Sequence, residues 1–138
     1  MRTTLLTIGK IKDPFAPADA HYRRLLGRYQ PVQVIEARDE RDLVRRMPAE
    51  AHLVALDRGG EDFDSVTWSR WLERRRLQAL DVCLMIGGAE GLPEAALSVA
   101  GERISLGAAT LPHQLARVIV LEQLFRAAKI LAGEPYHR

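Results

Sequence analysis

The order of apolar segments along this chain predicts an α/β fold, a mostly parallel sheet flanked by helices. Short apolar runs of strand length alternate with longer segments in which apolar residues recur at helical spacing. The 138 residues are enough for one hydrophobic core and too few for two. We therefore expect a single domain over residues 1–138, without repeats or linkers.

Five short runs predict the strands, and each leads into a polar or glycine-containing segment. They cover residues 2–8, 32–35, 52–56, 82–86 and 103–106. Asp57-Arg58-Gly59-Gly60 is expected to end the third strand, because paired glycines are typical of turns.

Five segments between and after the strands predict helices. They cover residues 13–28, 39–47, 65–77, 93–100 and 113–131. Ser65 is expected to cap the third helix and Pro93 to begin the fourth. Gly133 and Pro135 should end the last one.

Composition excludes several classes of protein. Hydrophobic residues make up 47% and charged residues 28%, which is ordinary for a folded globular domain and not for a disordered one. No apolar run approaches the ~20 residues of a membrane span, and the first residues lack a signal-peptide core, so we expect a cytoplasmic protein without membrane contact. Cys83 is the only cysteine, which rules out an intrachain disulfide, and its apolar strand predicts a buried spectator.

The positive charge of the chain is carried mainly by arginine. The net charge is only +2, but 17 of the 20 basic residues are arginine. Arginine binds phosphate through paired hydrogen bonds and stacks on bases, which suits an RNA partner. A compositional bias of the genome would give the same count, so charge alone leaves the partner open.

Two of the predicted strands end in loops of small residues. The fourth strand leads into Gly87-Gly88-Ala89-Glu90-Gly91 and the fifth into residues 107–112. Ligands of open α/β sheets bind beyond the carboxyl ends of the strands, and glycine lets the backbone approach them closely. We interpret the loops as a small-molecule site built largely from main chain, suited to adenine; a purely structural turn is the alternative for the first loop.

Other kinds of site lack the residues that they need. The G-x-G-x-x-G fingerprint of a dinucleotide-binding fold and the G-x-S-x-G turn of a serine hydrolase are both absent. The four histidines, at positions 21, 52, 113 and 137, lack the spacing of metal ligands, so we expect no metal. His113 either caps the last helix or lines the small-molecule site.

Three motifs in this order resemble the ribosomal RNA large-subunit methyltransferase H family, which belongs to the SPOUT class of knotted methyltransferases. The resemblance extends from the first strand to the last residue, although the segment between the second and third strands is shorter than in the family. The motifs are Leu84-Met85-Ile86-Gly87-Gly88-Ala89-Glu90-Gly91-Leu92, Ser105-Leu106 through Thr110-Leu111-Pro112-His113, and Pro135-Tyr136-His137-Arg138.

The resemblance implies a C-terminal trefoil knot, a homodimer and methylation of N3 of a pseudouridine in a 23S rRNA stem-loop, with the large subunit or the whole ribosome as partner. Knots are rare exceptions to the rules of chain connection, and neither periodicity nor spacing predicts one. The implied cofactor is S-adenosyl-L-methionine. Its implied binding residues are Leu56, Gly87, Gly88, Gly107, Ala108, Ala109, Thr110, Leu111 and Pro112.

Methyl transfer to an imide nitrogen requires that the reactants be aligned and that the imide lose its proton. His137 and Arg138 are candidates for helping that proton leave or for binding phosphate, and Glu90 is a candidate for orienting either ligand. Tyr136, His137 and Arg138 combine a stacking ring, an imidazole and a guanidinium, which suits RNA. A frayed tail is the alternative.

The last predicted helix has more apolar surface than one buried stripe requires, which favours a symmetric dimer interface. Its apolar residues include Leu115, Val118, Ile119, Leu121, Leu124 and Phe125.

Two alternatives of function stay open at this point. One is a related methyltransferase that acts on tRNA. The other is a non-catalytic module that binds RNA or a nucleotide, and it would be distinguished by whether S-adenosylmethionine binds stoichiometrically.

Overall fold

The computed structural model describes residues 1–137, and their secondary structure follows the predicted alternation of strands and helices. The elements in chain order are β1 (Thr3–Ile8), α1 (Ala16–Leu26), β2 (Val32–Ala37), α2 (Glu40–Arg46), β3 (His52–Asp62), α3 (Ser65–Gln78), β4 (Val82–Met85), α4 (Glu94–Leu97), β5 (Glu102–Ser105) and α5 (His113–Leu131).

The five strands form one sheet in the order β2-β1-β4-β3-β5, and every neighbouring pair is parallel. In the middle of the sheet, Leu5 pairs with Val34 on one side and with Leu84 on the other. All carboxyl ends therefore lie at one edge, which confirms the predicted fold class. The trefoil knot stays a prediction from the resemblance.

Helices cover both faces of the sheet, which explains why the central strands are almost continuously apolar. Leu5 and Leu84 face a core that includes residues of α1, α3 and α5, among them the fully buried Trp71. Leu6 and Met85, the next residues of the same strands, face a smaller core that contains residues of α2 and α4. The alternation along each strand thus divides its side chains between two cores.

The predicted end of the third strand is wrong. β3 does not stop at residue 56 but continues to Asp62, and both Leu56 and Glu61 pair with Ile104 of β5. Residues 57–60 form a bulge between these two pairings. A Cβ atom on Gly60 would lie only 2.5 Å from the carbonyl carbon of Arg103, so glycine is needed here to let the two backbones meet.

The predicted cap of α3 is also wrong by one residue. Asp64 is the N-cap, and its Oδ1 accepts hydrogen bonds from the backbone N–H of Thr67 at 2.8 Å and from its hydroxyl at 2.7 Å. Ser65 donates its hydroxyl to Gln123 of α5 at 2.7 Å instead. Both residue types cap helices well, and here the carboxylate takes the position.

A buried ion network joins α5 to α1 and to the edge strand β2. The Arg117 side chain is only 4% exposed and donates to both carboxylate oxygens of Asp19, at 2.6 and 3.1 Å. Its Nη1 atom also donates to Glu36 at 2.6 Å. Burial alone would raise the pKa of Glu36, but hydrogen bonds from Arg117 and from the Ile11 backbone hold it below its ordinary value.

We expect Arg117→Leu to lower the free energy of unfolding by about 3 kcal/mol, because Asp19 would remain buried without its principal partner. Arg23→Leu is the matched control, since Arg23 lies 3.7 Å from the same carboxylate but is 42% exposed. Its loss should stay under about 1 kcal/mol. Urea denaturation measures both variants, and an equal loss of unfolding free energy in the two would contradict the role of Arg117 as the principal partner of Asp19.

Candidate functional site

A cavity of about 340 Å³ opens at the carboxyl edge of the sheet, where β3, β4 and β5 end side by side. Four segments line it: Leu56 of β3 with the first two residues of its bulge, the loop after β4, the end of β5 with the loop that follows, and the first turn of α5. The lining residues are Leu56, Asp57, Arg58, residues 86–92, Ile104, Leu106, Gly107, Ala109, Thr110, Leu111, His113 and Ala116.

The loop after β4 is a tight turn in which Gly87 has no room for a side chain. The Gly91 N–H donates to the Gly88 carbonyl at 3.0 Å, and Gly91 has a φ of +80°. This turn brings Gly91 so close that a Cβ atom on Gly87 would lie 2.1 Å from the Gly91 carbonyl carbon. At Gly88 the nearest atom would be Ile8 Cγ2 at 3.7 Å, an ordinary contact.

The loop after β5 presents main-chain groups to the cavity. It begins at Gly107, which has a φ of +124° and whose N–H donates to the Ser105 hydroxyl at 3.1 Å. Within the described residues, the backbone N–H groups of residues 108–111 form no hydrogen bond to the protein. The donors of residues 109–111, which line the cavity, are therefore available to a ligand.

Charged side chains stand at the mouth of the cavity. Arg58 crosses from the β3 bulge to the loop after β5, where its Nη1 donates to the Thr110 hydroxyl at 2.9 Å. The Asp57 carboxylate accepts from the Gly59 N–H at 3.2 Å and lies 3.9 Å from Arg103 Nη1. Neither Asp57 nor Arg58 is among the predicted site residues, because the glycines after them suggest the end of the strand. Their position directly after a predicted strand is the sequence feature that could have identified them as site residues.

Most of the residues proposed for cofactor binding come together here. Those that line the cavity are Leu56, Gly87, Gly88, Gly107, Ala109, Thr110 and Leu111. Ala108 and Pro112 are exposed and do not line it, and Pro112 instead precedes α5 as its N-cap. Glu90 and His113 also line the cavity, and His113 is the first residue of α5, not its N-cap.

Tyr136 and His137 of the tail do not line this cavity but pack along α5 of the same chain. The Tyr136 hydroxyl donates to Glu122 at 2.8 Å, and its ring meets Phe125 edge-on with centroids 4.9 Å apart. The Arg126 guanidinium lies 4.8 Å from the Tyr136 ring centroid and 3.1 Å from His137 Nδ1. Burial and the neighbouring Glu122 carboxylate raise the pKa of Tyr136. Arg138 falls outside the described residues.

The six apolar residues of α5 named for the predicted dimer interface divide into two sets. Leu121, Leu124 and Phe125 are buried in the core, whereas the other three keep part of their surface exposed. The partly exposed set is Leu115, Val118 and Ile119, whose three- and four-residue spacing places them on one side of the helix. This face begins within one turn of His113, beside the cavity.

The described residues give less support to a reactive cysteine or to a metal site. Cys83 is buried in β4, as expected, and burial raises the pKa of its thiol to about 12, so it stays protonated at neutral pH. Among residues 1–137, no three potential metal-ligating side chains cluster together. None of the helices in that range is both long and apolar enough to cross a membrane.

Comparison with known proteins matches residues 1–137 to the family described as "Predicted SPOUT methyltransferase". The chain is 40% identical over 154 aligned residues to a protein of Gemmatimonas aurantiaca named ribosomal RNA large subunit methyltransferase H, with all of both chains covered. A protein of Rubrobacter xylanophilus with the same name is 44% identical, with 99% of this chain and 98% of that protein covered.

A solved structure supports the fold independently. The chain resembles a probable methylase family protein from Haemophilus influenzae with a TM-score of 0.59, at 11% sequence identity. The match covers 99% of this chain and 70% of the other.

Proposed function

Because this chain belongs to the SPOUT methyltransferase family, we propose that it transfers a methyl group from S-adenosylmethionine to RNA of the large ribosomal subunit. The observation that supports this most directly is the main-chain cavity at the carboxyl edge of the sheet. The names of the full-length relatives support the choice of RNA. The finer proposal is methylation of N3 of a pseudouridine in a 23S rRNA stem-loop, on assembled ribosomes in the cytoplasm.

The residues around the cavity fit S-adenosylmethionine. Its volume of about 340 Å³ falls in the range of small-ligand sites. Leu56, Ile104 and Leu106 provide apolar walls for an adenine ring, and the available N–H groups of residues 109–111 provide donors for its polar atoms. The carboxylates of Asp57 and Glu90 complement positively charged groups. When bound, the cofactor supplies an activated methyl group on a positively charged sulfur.

The chain's own residues would then hold the target base in line with that methyl group and help its imide proton to leave. We assign these tasks to His137 and Arg138, with Glu90 orienting the ligands. Tyr136 belongs to the RNA-binding tail, and its contacts with Glu122 and Phe125 suit it to anchoring the tail so that its neighbours reach the RNA.

A homodimer explains how the tail would reach a cavity. Tyr136 is held against Glu122, which lies more than two helical turns from His113 at the cavity of the same protomer. The partly exposed face of Leu115, Val118 and Ile119 offers an interface next to that cavity. We propose that two copies meet there, so that each tail serves the site of its partner.

The decisive experiment supplies radiolabelled S-adenosylmethionine with large ribosomal subunits, whole ribosomes or tRNA, and maps the methylated nucleotide by mass spectrometry. We expect label in 23S rRNA at N3 of one pseudouridine. Transfer to tRNA alone would instead support the related enzyme, and the absence of both methyl transfer and stoichiometric cofactor binding would support a binding module. Deleting residues 136–138 should reduce transfer at least ~100-fold while cofactor affinity changes less than about threefold.

We expect Gly87→Ala to weaken S-adenosylmethionine binding at least ~10-fold, because its Cβ atom would push apart the turn that lines the cavity. Gly27→Ala is the control, since Gly27 ends α1 with an ordinary φ of −55° and does not line the cavity. Calorimetric titration of both variants checks the difference. If both variants fold and bind S-adenosylmethionine with equal affinity, the turn after β4 is not part of the cofactor site.

We expect light scattering to give twice the chain mass of 15.5 kDa at micromolar concentration. Ile119→Glu should shift the protein to the monomer mass, because a charge would be buried in the proposed interface. Leu77→Glu is the control, since Leu77 is 79% exposed on α3 and should leave the dimer intact. A wild-type monomer would refute the shared site.

A further inference from the structure

The loop after β1, residues 9–12, is rigidly anchored to the fold through its backbone. The Gly9 N–H donates to the Ala37 carbonyl at 2.8 Å, and the Ile11 N–H to the Glu36 carboxylate at 3.0 Å. Gln114 of α5 fastens both sides of the loop, accepting from the Lys12 N–H at 2.9 Å and donating to the Lys10 carbonyl at 3.0 Å.

The two lysine side chains of this loop, in contrast, are exposed and have no bonding partner among the described residues. Among residues 1–137, neither the Lys10 nor the Lys12 ammonium forms an ion pair or a hydrogen bond, and Asp13 next to them pairs with neither. The remaining lysine of the sequence, Lys129, contacts Glu134 and Tyr29, both at 3.3 Å. The Glu36 carboxylate, which holds the Ile11 N–H of this loop, pairs with Arg117.

Two residues that adjoin this loop place it near the cavity. Ile8, which precedes it, would touch a Cβ atom on Gly88 in the cavity wall at 3.7 Å. Gln114, which holds it, lies between His113 and Ala116, both of which line the cavity. The lysines themselves are not in the lining, so their charge is presented outside the cofactor pocket.

We propose that Lys10 and Lys12 bind backbone phosphates of the RNA next to the methylated nucleotide. This rests on the proposed function, in which the cavity holds a cofactor with a cationic sulfur and the second substrate is a polyanion. Because the loop backbone is already fixed, the two cations stand beside the cavity before RNA binds. The loop then need not become ordered on binding, which lowers the entropic cost of association. Lysine acts toward phosphate as a point charge, so these contacts position the RNA without selecting its sequence.

The test is the double variant Lys10→Gln/Lys12→Gln, assayed with large ribosomal subunits that lack the methyl group. We expect the KM for subunits to rise at least ~10-fold, with kcat nearly unchanged at saturation and S-adenosylmethionine affinity within about twofold. For a protein-free 23S rRNA transcript, the slope of log affinity against log salt should become shallower by roughly 0.7 to 0.9 for each phosphate that the variant no longer neutralises.

The matched control is Arg28→Gln/Arg74→Gln, which removes two exposed cations from the amino-terminal side of the sheet, where α1 ends and α3 runs back. It should change neither KM nor the salt slope, and Lys10→Arg/Lys12→Arg should retain most of the affinity. An unchanged KM and slope in the glutamine variant would overturn the proposal.

Two other results would also overturn the assignment. A loss of subunit binding with unaltered binding to protein-free RNA would point to an acidic ribosomal protein as the partner. A parallel loss of cofactor affinity would place the lysines in the cofactor site. If the wild-type enzyme methylated no ribosomal RNA at all, the proposed function itself would fail, which the wild-type assay reports separately.

Discussion

The packing of α5 against the rest of the fold depends on the buried guanidinium group of Arg117. This group joins α5 to α1 through Asp19 and to the edge of the sheet through Glu36, and its partners are 98 and 81 residues away in sequence. A buried cation is tolerated only when such partners are present and well aligned. The network therefore fixes the helix that contributes one wall of the cavity, the anchor for the tail and the proposed dimer face.

The cavity follows from the strand order. β4, β3 and β5 are neighbours, so the loops and the bulge at their carboxyl ends converge without any long excursion of the chain. Arg58 and Thr110 then connect two of these segments across the opening. Main-chain groups of two glycine-containing loops and the polar side chains of Asp57, Arg58, Glu90 and Thr110 thus meet in one cavity.

Much of the fold could be predicted from the sequence because its signals are local. An apolar run such as residues 82–86 predicts a strand, and a glycine-rich segment such as residues 87–91 predicts a loop, almost regardless of the rest of the chain. The β3 bulge could not be predicted, since Gly59-Gly60 is equally suitable for a turn, and only the neighbouring backbone of Arg103 decides between them. The docking of Tyr136 on Phe125 and the burial of Arg117 also depend on tertiary contacts that no local pattern encodes.

The single thiol of this chain has a practical consequence for studying it in solution. Cys83 lies in the interior of a central strand, and burial raises its pKa to about 12, so maleimide reagents meet almost no thiolate on the folded protein. A cysteine introduced at an exposed position would thus carry a fluorophore or spin label by itself, with no background site to remove. Labels placed on the tail and on the loop after β1 would report distances between them in the protein as it works.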